Sequence, residues 1–352
     1  MDANKEFITL GYAELDTLGE FNDLPYAVID LTRVCFSELD YDPWDLLRAI
    51  RAEMTHTPLA LTLAGQCLVS DLMLSDDIVE AFVAKAFENG ISEFRIYDPL
   101  NDPRNLQTAI TAAKRCGAKV YAGMVYSKNS VYSPAFFAGY AAQLSALGAD
   151  GIWIFSMSDD FACRDTVKAI KEAVDLPLGV SGTSPVISEI ALDAGADFFE
   201  NEILDAIPSE LSDNAEKIRE DAGSPPLYSF IRDIILEQTA NDHGKVPYTE
   251  VSPRFKDLLL GKYGRTPCPI STELVTELCG GEPLVLVRPA DLLQPTLDDI
   301  ENKIAAWSEQ DDDALTYALF RDDAIEFFKR RNAKRYCLDL PHAHAERGIH
   351  TV

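Results

Sequence analysis

The sequence predicts an α/β fold, a (β/α)₈ barrel with room for an incomplete first unit, followed by a smaller helical domain. Three observations predict it. Capping residues followed by proline recur at Asp42-Pro43, Asp102-Pro103, Ser133-Pro134 and Ser184-Pro185, which is how helices start. Glycines fall where those helices should stop, at Asn89-Gly90, Cys116-Gly117, Leu147-Gly148 and Ala194-Gly195. A short apolar run follows each stop, so the whole pattern repeats at roughly thirty-residue spacing.

The strands are expected at Ala27–Leu31, Leu59–Leu63, Glu93–Tyr97, Lys119–Val125, Gly151–Phe155, Leu176–Val180 and Asp197–Glu200. Strands that alternate with amphipathic helices pair in parallel, because each crossover helix returns the chain to the same end of the sheet. Phe7–Gly11 is the candidate eighth strand that would complete a TIM barrel. Between Gly11 and Pro25 there is scarcely room for a helix and two loops, so the first unit is the weak one. From about Glu210 the strand signal ends, and helices are expected at roughly 210–221, 227–240, 253–262, 270–279, 296–308 and 312–331. The predicted division is a barrel over 1–208, a helical domain over 209–332 and a loose tail over 333–352.

With 47% hydrophobic and 25% charged residues, the chain has the composition of a globular protein with a sizeable core. It carries 31 basic and 58 acidic residues, a net charge of −27, which argues against nucleic acid and anionic membranes as partners. No apolar run approaches the roughly 18 residues of a membrane span, and MDANKEF lacks the basic-then-apolar order of a secretory signal. The expected location is cytoplasmic, with the seven unpatterned cysteines reduced.

The stretch Phe94–Asn105, FRIYDPLNDPRN, reads as a buried strand leading to a capped helix start, with Asp98, Asn101 and Asp102 in between. Strand carboxyl ends are where parallel α/β folds bind ligands. Gln66, Asp98, Asn101, Tyr126, Ser181 and Thr183 are therefore the candidate barrel-mouth residues. Loop and cap chemistry is the competing account of Asp98, Asn101, Asp102 and Arg104. Ser156, Ser181 and Thr183 have no nearby histidine base to make a nucleophile. Asp159 and Asp160 could form a carboxylate site with Glu200, or simply start a helix. His342, His344 and His350 have ligand-like spacing at the chain's end.

Several motifs resemble those of the biotin-dependent carboxyltransferase family. That family includes the carboxyltransferase domain of pyruvate carboxylase, the alpha subunit of oxaloacetate decarboxylase and the carboxyltransferase subunit of transcarboxylase. The matching motifs are Asp42-Pro43-Trp44 with Leu46-Leu47-Arg48, Leu63-Ala64-Gly65-Gln66, and Glu88-Asn89-Gly90 leading into FRIYDPLNDPRN. Later come Leu260-Gly261-Lys262-Tyr263-Gly264, Arg288-Pro289-Ala290-Asp291-Leu292-Leu293 and Leu315-Thr316-Tyr317-Ala318-Leu319-Phe320. The resemblance covers about residues 27 to 330 and implies a barrel whose mouth is covered by the helical domain. It also implies carboxyl transfer between carboxybiotin and a 2-oxo acid such as pyruvate, assisted by a divalent metal that stabilises the enolate.

The resemblance further implies where the chemistry should sit, and there this sequence departs. The family's first-strand Arg-Asp-x-x-Gln-Ser motif has no counterpart before Ala27. Phe155 stands where the family has its carbamylated lysine, and Gly179 and Ser181 stand where it has a His-x-His pair. Ala64 replaces the arginine that grips the substrate carboxylate, and FFENEILDAIP replaces the Ser-Met-Ser loop after the last strand. Trp153 or Phe155 is expected to plug the old metal cavity.

The sequence therefore points to no catalytic or metal-binding residue of its own, and no cofactor is expected on this chain. The family would use a divalent metal and carboxybiotin on a partner. The reading is a non-catalytic structural or regulatory subunit of a biotin-dependent carboxylase, transcarboxylase or decarboxylase assembly. It would form a homodimer or a hetero-oligomer with an active carboxyltransferase or biotin-enzyme subunit. The alternatives are a barrel enzyme acting on a 2-oxo acid through a rebuilt site, and a carboxyltransferase with a replacement metal site.

Overall fold

The computed structural model of the chain describes residues 6–10, 28–37, 39–126, 132–156, 163–181, 185–203, 234, 251–267 and 270–336. Eight parallel strands close into a barrel in sequence order: β1 (Glu6–Leu10), β2 (Val28–Asp30), β3 (Leu59–Leu63), β4 (Glu93–Ile96), β5 (Lys119–Tyr126), β6 (Gly151–Ser156), β7 (Leu178–Ser181) and β8 (Phe198–Ile203). The weak first unit does supply its strand. β1 pairs with β2 through Phe7–Val28 and with β8 through Phe7–Glu200, so the barrel is not left open there.

The connecting helices follow the caps and stops written in the sequence. They are α1 (Thr32–Phe36), α2 (Pro43–Glu53), α3 (Asp76–Glu88), α4 (Gln107–Cys116), α5 (Pro134–Ala146), α6 (Cys163–Ala173) and α7 (Pro185–Ala194). Asp42 caps α2 by accepting from the backbone N–H groups of Trp44 and Asp45, while Pro43 takes the first helical position. The four helix-stop glycines, Gly90, Gly117, Gly148 and Gly195, all have positive φ. Each helix lays an apolar stripe on the sheet. α2 buries Trp44, Leu47 and Ile50, and Trp44 and Phe36 meet Phe82 of α3 at ring-centroid distances of 5.4 Å.

Beyond the barrel, the described residues form the helices α8 (Pro253–Leu259), α9 (Thr272–Cys279), α10 (Leu297–Ile304), α11 (Asp313–Phe320) and α12 (Asp322–Tyr336). The helix expected over 312–331 is two helices, broken at Arg321, whose φ is 52°. These helices pack on the barrel through motifs that are separate in the sequence. Trp44 Nε1 donates to Thr316 Oγ1 at 3.0 Å, which joins the Asp42-Pro43-Trp44 and Leu315–Phe320 motifs. Arg331 of α12 bridges Asp42 at 3.2 Å and buried Asp313 at 2.7 Å. Leu100, in the loop after β4, shares an apolar cluster with Ile234 and Leu258, so the helical domain reaches the mouth side of the barrel there.

Removing the cation from this bridge leaves the Asp313 carboxylate buried without its partner. Arg331→Ala should lower unfolding free energy by about 3 kcal/mol, and Arg331→Lys by less. Urea denaturation measures this, and an unchanged midpoint in Arg331→Ala would show that the bridge contributes nothing.

Candidate functional site

Strand alternation decides what the barrel encloses. On β4, Phe94 and Ile96 turn outward to the helices, so Arg95 turns inward, only 2% exposed. Its guanidinium meets Asp30 of β2 at 2.8 Å and Glu200 of β8 at 2.6 Å, and it donates to Thr9 of β1 at 3.1 Å. Thr62 of β3 donates to Asp30 at 2.6 Å, while Thr9 and Ser181 both donate to Glu200. Trp153 of β6 completes the ring by donating from Nε1 to Ser181 Oγ at 2.6 Å. Burial opposes a charge on Arg95, yet Glu200 and Asp30 hold its pKa above the ordinary arginine value. It is a permanent cation.

Aromatic rings fill the space around this polar layer. Phe7 packs on Trp153 at 4.6 Å and on Phe198 at 5.2 Å. Tyr97 packs on Phe155 at 5.1 Å, and the Arg95 guanidinium lies 5.1 Å from the Trp153 ring. Glycines make room for the rings. A Cβ on Gly179 would stand 2.1 Å from a Trp153 ring carbon, and one on Gly123 would stand 2.7 Å from a Phe155 ring carbon.

The positions that the resemblance assigns to chemistry therefore line a packed interior. Phe155, Ala64 and Trp153 belong to one buried apolar cluster, Gly179 lies against the Trp153 ring, and Ser181 is bonded to Glu200 and Trp153. Among the described residues no group of three or more His, Cys, Asp or Glu is arranged to hold a metal ion. The interior carboxylates Asp30 and Glu200 are both engaged by a guanidinium that would repel a divalent cation. The described residues do not fit the family's metal site.

The candidate mouth residues divide into two groups. Gln66 is buried and donates to Leu74 O and Asp76 Oδ1, both at 2.9 Å. Asn101, held at φ 56°, pairs its amide with both the N–H and C=O of Val125 at 2.8 Å. Asp98 accepts from Leu100 N, Asp102 N and Asn105 Nδ2. Tyr126 stacks on Phe137 of α5, with ring centroids 5.7 Å apart. Ser181 is the member that joins the axial network. Thr183 lies outside the described residues, as do Asp159, Asp160, Met157, His342, His344 and His350.

The loop after β4 is a junction. Asp102 holds Arg104 at 2.6 Å and accepts from Arg265 N at 2.7 Å, while Asn105 donates to Tyr263 O at 2.8 Å. Burial pushes the Asp98 carboxyl up to about 7, outweighing the bonds it receives from Asp102, Asn105 and Leu100.

The comparisons with known proteins agree with this architecture. A family model described as "Conserved carboxylase domain" matches residues 233–350. A pyruvate carboxylase subunit of Methanocaldococcus jannaschii is 28% identical, across 84% of this chain and 69% of that protein. The methylmalonyl-CoA carboxyltransferase 5S subunit of Propionibacterium freudenreichii subsp. shermanii is 26% identical, across 84% of this chain and 78% of that protein. The carboxyl transferase domain of Rhizobium etli pyruvate carboxylase superposes with a TM-score of 0.73 at 17% identity, covering 94% of this chain and 77% of that one. The chain is related to the carboxyltransferase components of biotin-dependent carboxylases. Among carboxyltransferase motifs, the matched late ones form the seam with the barrel.

The axial network was not anticipated as a unit, although Glu200 was weighed as a metal ligand. A signal was present: Asp30 and Arg95 are charged residues inside otherwise apolar strands, and only a partner across the barrel makes that tolerable.

Two measurements follow from this geometry. Gly179→Ala should cost about 2 kcal/mol by overpacking against Trp153, and adding Trp153→Phe should recover part of that loss. If Gly179→Ala unfolds at the wild-type denaturant midpoint, the ring does not occupy this space. For Asp98, the folded-state value lies above the ordinary carboxylate value of about 3.9. Its contribution to stability is therefore fully present below about pH 4 and is lost as pH rises through about 7. The stability difference between wild type and Asp98→Asn should fall by a few kcal/mol over that window, and parallel pH profiles would contradict the assignment.

Proposed function

We propose that this carboxyltransferase-family chain is a non-catalytic structural or regulatory subunit of a biotin-dependent carboxylase, transcarboxylase or decarboxylase assembly. One observation carries the reading. The interior positions where the family places metal ligands and substrate arginine hold Phe155, Gly179 against Trp153, Ser181 and Ala64, and the nearby carboxylates are bound to Arg95. Stabilising a 2-oxo acid enolate requires positive charge that can reach the developing oxyanion. Arg95 is buried and faces two carboxylates, so it does not offer that charge. Asp98 has a proton affinity suited to acid–base work, but both its oxygens accept bonds from its own loop.

The chain forms a homodimer, or a hetero-oligomer with an active carboxyltransferase or another biotin-enzyme subunit, and carboxybiotin resides on such a partner. The relatives support a subunit role by their names, which are those of a pyruvate carboxylase subunit, the 5S subunit and the 2-oxoglutarate carboxylase large subunit. Among the described residues no helix is long and apolar enough to cross a membrane. A cytoplasmic assembly is part of the proposal.

The test is purification of the tagged chain from its native cells, with metal analysis and oxaloacetate decarboxylation measured on the isolated chain and on the complex. The expected result is a co-eluting biotin-enzyme subunit, turnover only in the complex and no stoichiometric metal on the isolated chain. Metal-dependent turnover by the isolated chain would overturn the proposal in favour of a rebuilt site.

A further inference from the structure

Five large apolar side chains, Leu284, Leu286, Val287, Leu292 and Leu293, stand exposed on one ten-residue stretch, Leu286 at 68% and Leu292 at 59%. Among the described residues only Tyr41, Leu72 and Tyr336 are comparably exposed large hydrophobics. The stretch is fixed. Val285 N donates to Leu260 O at 2.8 Å, Leu286 O accepts from Arg104 Nη1 at 2.9 Å, and Arg288 is tied to Asp76 and Thr108. Leu286 and Val287 form one wall of an open cleft of about 560 Å³, with α3 and α4 opposite.

The charges in this cleft are not equivalent. Arg104 is engaged by Asp102, Arg288 by Asp76 and Asp291, and Glu80 by Arg115. Arg265 is exposed and anchored by its backbone N–H to Asp102, and among the described residues its guanidinium meets no carboxylate. Two exposed apolar side chains, Leu286 and Val287, share the cleft with an arginine that meets no carboxylate, a pairing of residue types suited to a protein interface.

We propose that this cleft docks an extended segment of a partner protein, which sets apolar side chains on Leu286 and Val287 and a carboxylate on Arg265. A carboxylate is specified because it matches the planar guanidinium fork. At this cleft a second copy is the poorer occupant, because it would bring its own net charge of −27 against the same charge here, whatever other surface a homodimer uses. The rigid strap limits the ordering that docking must impose. The inference is independent of whether the barrel is catalytic, since its test reads binding alone.

The test uses the full chain and two labelled, end-blocked peptides, Leu-Leu-Asp-Leu-Val and the same peptide with lysine for aspartate, followed by fluorescence anisotropy. The overall charge favours the lysine peptide, so a preference for the aspartate peptide reports the cleft. The expected result is saturable binding of the aspartate peptide, weakened about tenfold by Arg265→Glu with the preference inverted toward lysine. Leu286→Ser should weaken both peptides, and circular dichroism checks that each variant is folded. Absence of saturable binding, or equal binding of the two peptides by the wild type, would overturn the proposal. So would a dimer by light scattering that Leu286→Ser dissociates, which would give the cleft to a second copy.

Discussion

The interior of this barrel depends on one guanidinium. Arg95 joins β4 to β2 through Asp30 and to β8 and β1 through Glu200 and Thr9, and the hydroxyls of Thr62 and Ser181 bring in β3 and β7. A cation in a closed barrel would be prohibitive alone, and two carboxylates without it would be worse. Together they offset one another's charge, and the hydroxyls take up carboxylate lone pairs, while Arg95 Nε stays buried without a partner. The polar layer fixes strand register as well, because a one-residue slip would turn Arg95 out among the helices.

Above and below that layer the barrel is closed by rings. Trp153 fits because β7 carries Gly179, and Phe155 fits because β5 carries Gly123. Each large side chain on one strand thus has a missing side chain on its neighbour, which is how a small barrel is filled to native density. The same packing engages Ser181 within the barrel in spite of its place at a strand end. Its hydroxyl is the link between Trp153 and Glu200.

Much of this fold was legible from local chemistry. Helix starts at Asp42, Asp102 and Ser133 and stops at Gly90, Gly117, Gly148 and Gly195 are determined within a few residues, so sequence alone places them. The break at Arg321 was not legible, because no glycine or proline marks a backbone turn that tertiary packing imposes there. The site was less legible than the fold. Arg95 and Glu200 lie 105 residues apart, and nothing local to either specifies the other. The resemblance located the positions at Phe155, Gly179 and Ala64, but what fills the space between them depends on strand register.

The loop Asp98–Asn105 shows why scaffold and chemistry can part company in one chain. In a parallel barrel such a loop is placed to touch a ligand, yet here its polar atoms serve the chain. Asp98 organises the loop from within, and Asp102 and Asn105 hold the turn at Tyr263–Arg265 from without. Losing those bonds would release the helical domain, whereas losing a lysine or a histidine from the barrel mouth need cost no stability if a ring takes its place. Active sites commonly hold polar groups at the expense of packing, so a barrel relieved of catalysis can bury aromatics there and gain stability. On the proposed reading, the seam motifs of the carboxyltransferase family remain in this chain because folding requires them, and the mouth residues were free to change because only turnover did.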